Sequence, residues 1–344
     1  MKILVTGGTG FIGSHTVVEL SKAGFTPVIM DNLDNSSIRV LDGIEKILGF
    51  RPKFYQEDCN HPDAFRRIFE AENDISGIIH FAAHKAVGES VSFPLKYYRN
   101  NIGSLISLLE TASEYKIQNI VFSSSCTVYG EPSSLPVDET FPIVPAESPY
   151  GNSKQICEEI LRDTHASGMN FKALSLRYFN PIGSHPSAFI GELPLGVPGN
   201  LVPFVMQVAA GWREKLSVFG NDYNTFDGTC IRDYIHVVDI AQAHVNAVQY
   251  LLANKEDRLY DWINLGTGKG STVLEVVKTF EQVSGLPLNY QMVGRRVGDI
   301  EKIYASTEKA EKVLGWKTRL TLADGLADGW RWQQTLGSKP GQAG

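Results

Sequence analysis

Tyr150 and Lys154 are the two side chains in this sequence best spaced to do chemistry together. They stand in Ser148-Pro149-Tyr150-Gly151-Asn152-Ser153-Lys154, where Ser148 suits a helix cap and Pro149 the first helical position. On a helix, a spacing of four puts both on one face. A phenol with a pKa of about 10 is a poor base at neutral pH, so it needs a cation nearby. The Lys154 ammonium and the helix start both favour the phenolate. Such a base can take the proton of an alcohol whose carbon gives hydride to a nicotinamide, provided a hydroxyl holds the oxygen. Ser125, last of the run Ser123-Ser124-Ser125, is the candidate for that role.

A second motif points to the same chemistry. Val5-Thr6-Gly7-Gly8-Thr9-Gly10-Phe11-Ile12-Gly13 follows an aliphatic run and opens a helical pattern. Gly7 permits the tight turn, Gly10 lets backbone approach a pyrophosphate, and Gly13 lets helix and strand pack closely. Free N–H groups at the helix start receive phosphate charge. Asp31 lies eighteen residues after Gly13, near the spacing of about 20 for a carboxylate that binds the adenosine ribose. It would repel a 2′-phosphate, so NAD is expected over NADP.

Elements that could position these groups recur along the first half. Short aliphatic runs at Ile3–Val5, Pro27–Met30, Lys53–Tyr55, Gly77–Phe81, Asn119–Ser123 and Lys172–Leu176 alternate with helical patterns such as Ile12–Ala23 and Leu95–Tyr115. That rhythm predicts an α/β fold, a doubly wound parallel (Rossmann) sheet with helices on both faces. Ligands of such sheets gather at the carboxyl ends of strands, where Ser125 and the loop before Tyr150 would lie. After Tyr178 the texture changes: Pro181–Gly199 holds four prolines and four glycines and reads as a lid or loop. Residues 1–180 are the expected NAD-binding domain, with 235–265 returning to it. Residues 181–234 and 266–336 form a smaller mixed α/β substrate domain, and 337–344 a flexible tail.

The composition excludes other classes. The chain has 344 residues, a net charge of −6 and 20% charged residues, without the basic footprint of a nucleic-acid binder. No apolar stretch is long enough for a membrane span. Cys59, Cys126, Cys157 and Cys230 form no CxxC pair, which suits a reducing cytoplasm. His80 and His84 lack a third ligand, so no metal is expected. Trp330 and Trp332 read as helix packing.

These motifs resemble the extended short-chain dehydrogenase/reductase family from Lys2 to about Trp332. The matching segments include the glycine turn through His15, Lys85-Ala86-Val87-Gly88-Glu89-Ser90, Phe122 to Gly130, Leu176 to Pro181 and Ile231 to Val237. Within that family the likeness is to the enzymes that invert C4 of UDP-hexoses. It implies a bound NAD that takes hydride from C4 and returns it to the other face of a transient 4-keto sugar, interconverting UDP-galactose and UDP-glucose. By the resemblance, Tyr150 is the base, Lys154 its partner on the nicotinamide ribose and Ser125 the third catalytic hydroxyl. Gly7, Gly10, Phe11, Ile12 and Gly13 match the pyrophosphate turn, Asp31 and Asn32 the ribose contacts, and Asp58 and Cys59 the adenine edge. Phe81, Lys85, Asn100 and Phe179 match the rest of the groove. Asn180, Asn200, Leu201, Phe219, Arg232, Tyr234, Arg296 and Asp299 match the nucleotide-sugar site, and a homodimer is implied through Leu95–Tyr115 and Tyr150–Asp163.

The sequence departs from the family pattern at Cys126, where alanine is common, and at Ile303, which the resemblance places beside the sugar C2 substituent. Other enzymes of the fold remain alternatives: an epimerase of UDP-N-acetylhexosamines, or a sugar-nucleotide dehydratase. Dehydratases usually carry an Asp-Glu pair after the active-site threonine, whereas Thr127 is followed by Val128 and Tyr129. A dinucleotide sensor would need neither Tyr150 nor Lys154.

Overall fold

In the computed structural model, which describes residues 1–194, 196–296 and 299–337, the aliphatic runs form seven strands: β1 (Lys2–Thr6), β2 (Thr26–Asp31), β3 (Lys53–Gln56), β4 (Ile75–His80), β5 (Asn119–Ser125), β6 (Lys172–Tyr178) and, much later, β11 (Leu259–Leu265). All pair in parallel, in the order β11-β6-β5-β4-β1-β2-β3. Their side chains alternate between two cores. Ile3, Val5, Ile29, Ile79, Val121 and Leu174 face one side, and Leu4, Val28, Met30, Ile78, Ile120 and Phe122 the other. Both faces are therefore covered, as near-continuous apolar strands require.

The helices in this half are α1 (Phe11–Lys22), α2 (Val40–Leu48), α3 (Pro62–Ala71), α4 (Val87–Ser92), α5 (Pro94–Glu114) and α6 (Pro149–Ala166). The remaining elements are β7 (Asn180–Ile182), α7 (Leu201–Ala209), β8 (Leu216–Phe219), β9 (Ile231–Arg232), β10 (Tyr234–His236), α8 (Val237–Ala253), β12 (Ser271–Thr272), α9 (Val273–Ser284), β13 (Tyr290–Val293), β14 (Lys302–Ile303), α10 (Glu308–Leu314) and α11 (Leu322–Thr335). A separate core of Val205, Val218, Val276, Phe280 and Leu326 binds α7, β8, α9 and α11 together. Strand order reverses where β1 lies between β4 and β2, which opens a crevice at the carboxyl ends of the strands.

One expectation about the second half needs correction. Residues 235–237 do not return to the large sheet as a strand. Residues Tyr234–His236 pair with β7, because β7 runs on from β6 and offers a free edge, to which Asn180 N–H adds a bond to the Asp233 carbonyl at 2.9 Å. Helix α8 and β11 do pack onto the large sheet. The Pro- and Gly-rich stretch is the expected loop: past the end of β7 at Ile182 its described residues hold only an isolated bridge between Ser184 and Gly191 before α7, and the loop packs on α2. Ile190 is buried there, and a Cβ on Gly43 would come within 2.2 Å of the Phe189 carbonyl. Of the expected tail, only Gly337 lies within the described residues; its carbonyl accepts from the Trp212 indole. No described helix is long and apolar enough to cross a membrane.

Candidate active site

Helix α6 starts where its cap residues require. Ser148 Oγ accepts from the Gly151 N–H at 3.1 Å, and Pro149 is the first helical residue. Tyr150 thereby falls in the first turn and Lys154 in the second, both facing the end of β5. The Lys154 ammonium is buried; it donates to the Ser123 carbonyl at 2.7 Å and lies 4.8 Å from the centre of the Phe122 ring. Ser125 closes β5, and its Oγ accepts from the Thr127 N–H at 3.3 Å.

The electrostatics differ from the sequence expectation. Loss of water pushes the Tyr150 phenol up to about 12, although a hydrogen bond with Ser125 pulls the other way. Burial likewise pushes Lys154 down to about 8, opposed by its charge interactions with Cys157 and then with Glu158. Phenol and ammonium are thus both moved toward their neutral forms. The reason is geometric: the ammonium bonds a backbone carbonyl of β5, and desolvation outweighs the charges that remain.

The crevice carries features that fit a dinucleotide. Gly7 has φ of +68°, and a Cβ there would stand 2.9 Å from Ala82 N; one on Gly13 would stand 2.2 Å from the Gly7 carbonyl. Only glycine allows this approach of turn, helix and β4. Helix α1 begins at Phe11 and Ile12 with no side-chain cap and no acid in its first turn, so its N–H groups are open to an anion. Asp31 ends β2 and accepts from Thr9 N–H (3.1 Å), Leu33 N–H (2.9 Å) and Ser36 Oγ (3.1 Å), tying the next loop to the glycine turn.

Across the crevice, Asp58 accepts from Asn60 and from Asn32 Nδ2; these bonds overcome its burial and hold the carboxyl below its usual pKa. From Asn60 a chain of amides runs through Asn100 and Asn101 to Ser153 of α6. Cys59 is buried against Met30, and the Phe81 ring lies 4.6 Å from that of His244. Lys85 sits 5.9 Å from the Phe11 ring centre and pairs with Glu192 at 3.1 Å.

In the second half, Asp299 gathers two of the expected arginines, Arg296 at 2.7 Å and Arg232 at 3.6 Å. The Arg296 guanidinium lies 5.6 Å from the exposed Phe219 ring. Register places Tyr234 opposite Asn180, and Ile303 opposite Arg232. Asp233, between Arg232 and Tyr234, is buried and accepts from Thr267 N–H and Oγ1 and from Ala305 N–H. Asn200 and Leu201 open α7, apart from this cluster, with no described hydrogen bond joining their side chains to it. Phe179 and Ile303 share a small core with Val128 and Tyr129, against which Cys126 packs.

The Thr127 hydroxyl, two residues past Ser125, is buried with no hydrogen-bond partner in the protein. Other residues around the site escaped the sequence reading. Glu192 reaches Lys85 from the Pro- and Gly-rich stretch. Glu158, Arg177, Ser124 and Tyr129 form a buried polar network beneath Ser125. One signal was available: Glu158 follows Lys154 by four residues, on the face that carries Tyr150.

Comparison with known proteins decides the family. A family model described as GDP-mannose 4,6 dehydratase matches residues 4–329. A UDP-glucose 4-epimerase of Bacillus subtilis (strain 168) is 50% identical over 335 residues, which cover 97% of each chain. The chain belongs to the UDP-glucose 4-epimerase family, among the extended short-chain dehydrogenase/reductases. Two solved epimerase structures show how far the likeness extends. The enzyme of Stenotrophomonas maltophila, with bound NAD and formylated UDP-arabinopyranose, has a TM-score of 0.94 and 45% identity, covering 98% of both chains. That of Bifidobacterium longum, in complex with NAD+ and UDP, has a TM-score of 0.92 and 45% identity, covering 97% of this chain and 98% of the other.

Proposed function

We propose that this protein is an NAD-retaining 4-epimerase that interconverts UDP-galactose and UDP-glucose through a transient 4-keto sugar. The observation that carries the reading is the convergence of Tyr150, Lys154 and Ser125 at the carboxyl end of β5, beside a glycine turn that backbone can enter. NAD, when bound, supplies the acceptor that takes hydride from C4 and gives it back.

The chain does the rest. The glycine turn and the start of α1 receive the pyrophosphate, Asp31 and Asn32 the adenosine ribose, and Asp58 and Cys59 the adenine edge. Phe81, Lys85, Asn100 and Phe179 line the remaining groove. Tyr150 takes the proton of the sugar 4-hydroxyl, Ser125 holds that oxygen, and Lys154 steadies the phenolate and the nicotinamide ribose. The proton returns to the 4-keto oxygen when the other face is reduced.

In this reading residues 1–180, joined by α8 and β11, hold NAD, while 181–234 and 266–336 hold the UDP-sugar. Arg232 and Arg296 suit a diphosphate through forked hydrogen bonds. Phe219 suits a uracil face, Asp299 the ribose hydroxyls, and Asn180, Asn200, Leu201 and Tyr234 the remaining contacts. Elimination of water is disfavoured, because Val128 and Tyr129 follow Thr127 where a dehydratase would place acids.

A homodimer through α5 and α6 is part of the proposal. Val91, Phe93, Leu95 and Ile106 leave apolar surface exposed on α4 and α5, and a sedimentation mass of one chain would remove this part. The four free cysteines suit the cytoplasm. The purified protein, given UDP-galactose and no added cofactor, is expected to form UDP-glucose and to carry NAD in its absorbance spectrum. Absence of conversion would overturn the reading.

A further inference from the structure

Beneath the catalytic serine lies an ion pair that the reaction scheme does not use. Glu158 and Arg177 are both buried and joined through Arg177 Nε at 2.9 Å and a second, shorter bond from Nη2. Glu158 also accepts from Ser124 Oγ at 2.5 Å, in the residue before Ser125. Arg177 lies between the rings of Tyr129 (4.9 Å) and Trp262 (5.3 Å) and donates to the Tyr129 hydroxyl at 2.9 Å. Tyr129 ends the short 3-10 turn that starts after Ser125, and it donates in turn to Asn264 at 2.7 Å. The pair therefore clamps both sides of Ser125 and stands one helical turn from Lys154.

We infer that Glu158 and Arg177 are positioning residues for epimerisation, fixing the Ser123–Ser125 backbone against α6 and setting the charge balance around Lys154 and Tyr150; the inference rests on the epimerase reading above. A purely structural need would not call for these residue types, since an apolar pair of similar volume commonly serves stability as well or better. What an apolar pair cannot supply is a fixed carboxylate on the Lys154 face of α6 together with a donor to Tyr129 in the turn after Ser125.

The other groups facing Lys154 and Tyr150 carry no charge near neutral pH. His80, from β4, is pushed down to about 3 by burial. The Cys126 thiol of the 3-10 turn and the Cys157 thiol of α6 are each pushed up to about 12. Tyr97 of α5 and Tyr178 of β6 are raised well above the usual phenol value, again by burial. Glu158 and Arg177 are thus a buried ion pair set next to this pocket.

The test is the pH profile of kcat for UDP-galactose, measured on the NAD-bound enzyme and two variants. Glu158→Gln removes a negative charge, so phenol and ammonium both lose their protons more readily and both limbs move to lower pH. Arg177→Met removes the positive charge, and both limbs move to higher pH. One buried charge a helical turn away predicts shifts of roughly half to one pH unit, with KM for UDP-galactose changed by less than about twofold. Either variant suffices if the other fails to fold. A fall in kcat with unmoved limbs, or limbs that move the same way in both variants, would overturn the inference. Wild-type protein inert toward UDP-galactose would instead overturn the epimerase reading on which it rests.

Discussion

Replacing Lys154 with Met should make the protein more stable at neutral pH while disabling it. The ammonium is buried, and its pKa is pushed from 10.5 to about 8 by loss of water. That displacement corresponds to a folding cost of roughly 3 kcal/mol whenever both states are protonated. Below pH 8 both are, so the cost is present in full. Between 8 and 10.5 the folded state sheds its proton first and the cost shrinks; above 10.5 it is gone. Methionine fills a similar volume without charge, but leaves the Ser123 carbonyl without its donor, which returns about 1 to 2 kcal/mol. Net stabilisation of about 1 to 2 kcal/mol is expected at pH 7, vanishing or reversing near pH 10. Urea unfolding of the two proteins, both stripped of bound nucleotide, measures it. A Lys154→Met protein less stable than wild type at pH 7, or a difference independent of pH, would refute the reasoning.

Two further outcomes follow from the same geometry. Ile303 is buried beside Cys126 and Phe179, so Ile303→Ala should raise kcat/KM for UDP-N-acetylgalactosamine relative to UDP-galactose by about tenfold, as a pocket change of a few methylenes allows; competition between the two substrates reads the ratio, and an unchanged ratio would place the specificity elsewhere. Glu192 holds Lys85 over the first turn of α1, and the pair is partly exposed, so Glu192→Gln should speed loss of bound NAD only about two- to fivefold and weaken its dependence on salt; release followed by fluorescence checks both, and no change in either would remove Glu192 from the groove.

Much of this molecule was legible before its structure because the decisive signals are local. The alternation of Ile3, Leu4 and Val5 between two cores, the glycines of the turn, and Ser148-Pro149 at the head of α6 all act within a few residues. Relations between distant segments were not legible. Glu158 on a helix reads as a solvent-facing charge until Arg177, nineteen residues on, is brought under it by β6. The edge that captures Tyr234–His236 exists only once β7 has left the large sheet. Desolvation likewise belongs to the packed state: a phenol beside a lysine reads as activated, yet loss of water around both groups moves them toward neutrality.

The role of the Tyr150 oxygen is tested most directly by deleting it. Tyr150→Phe protein should retain NAD at the wild-type ratio, read from its spectrum, while conversion of UDP-galactose to UDP-glucose falls by roughly 10²- to 10⁴-fold, the range for loss of a positioned general base. Near-normal turnover in that variant would contradict the account.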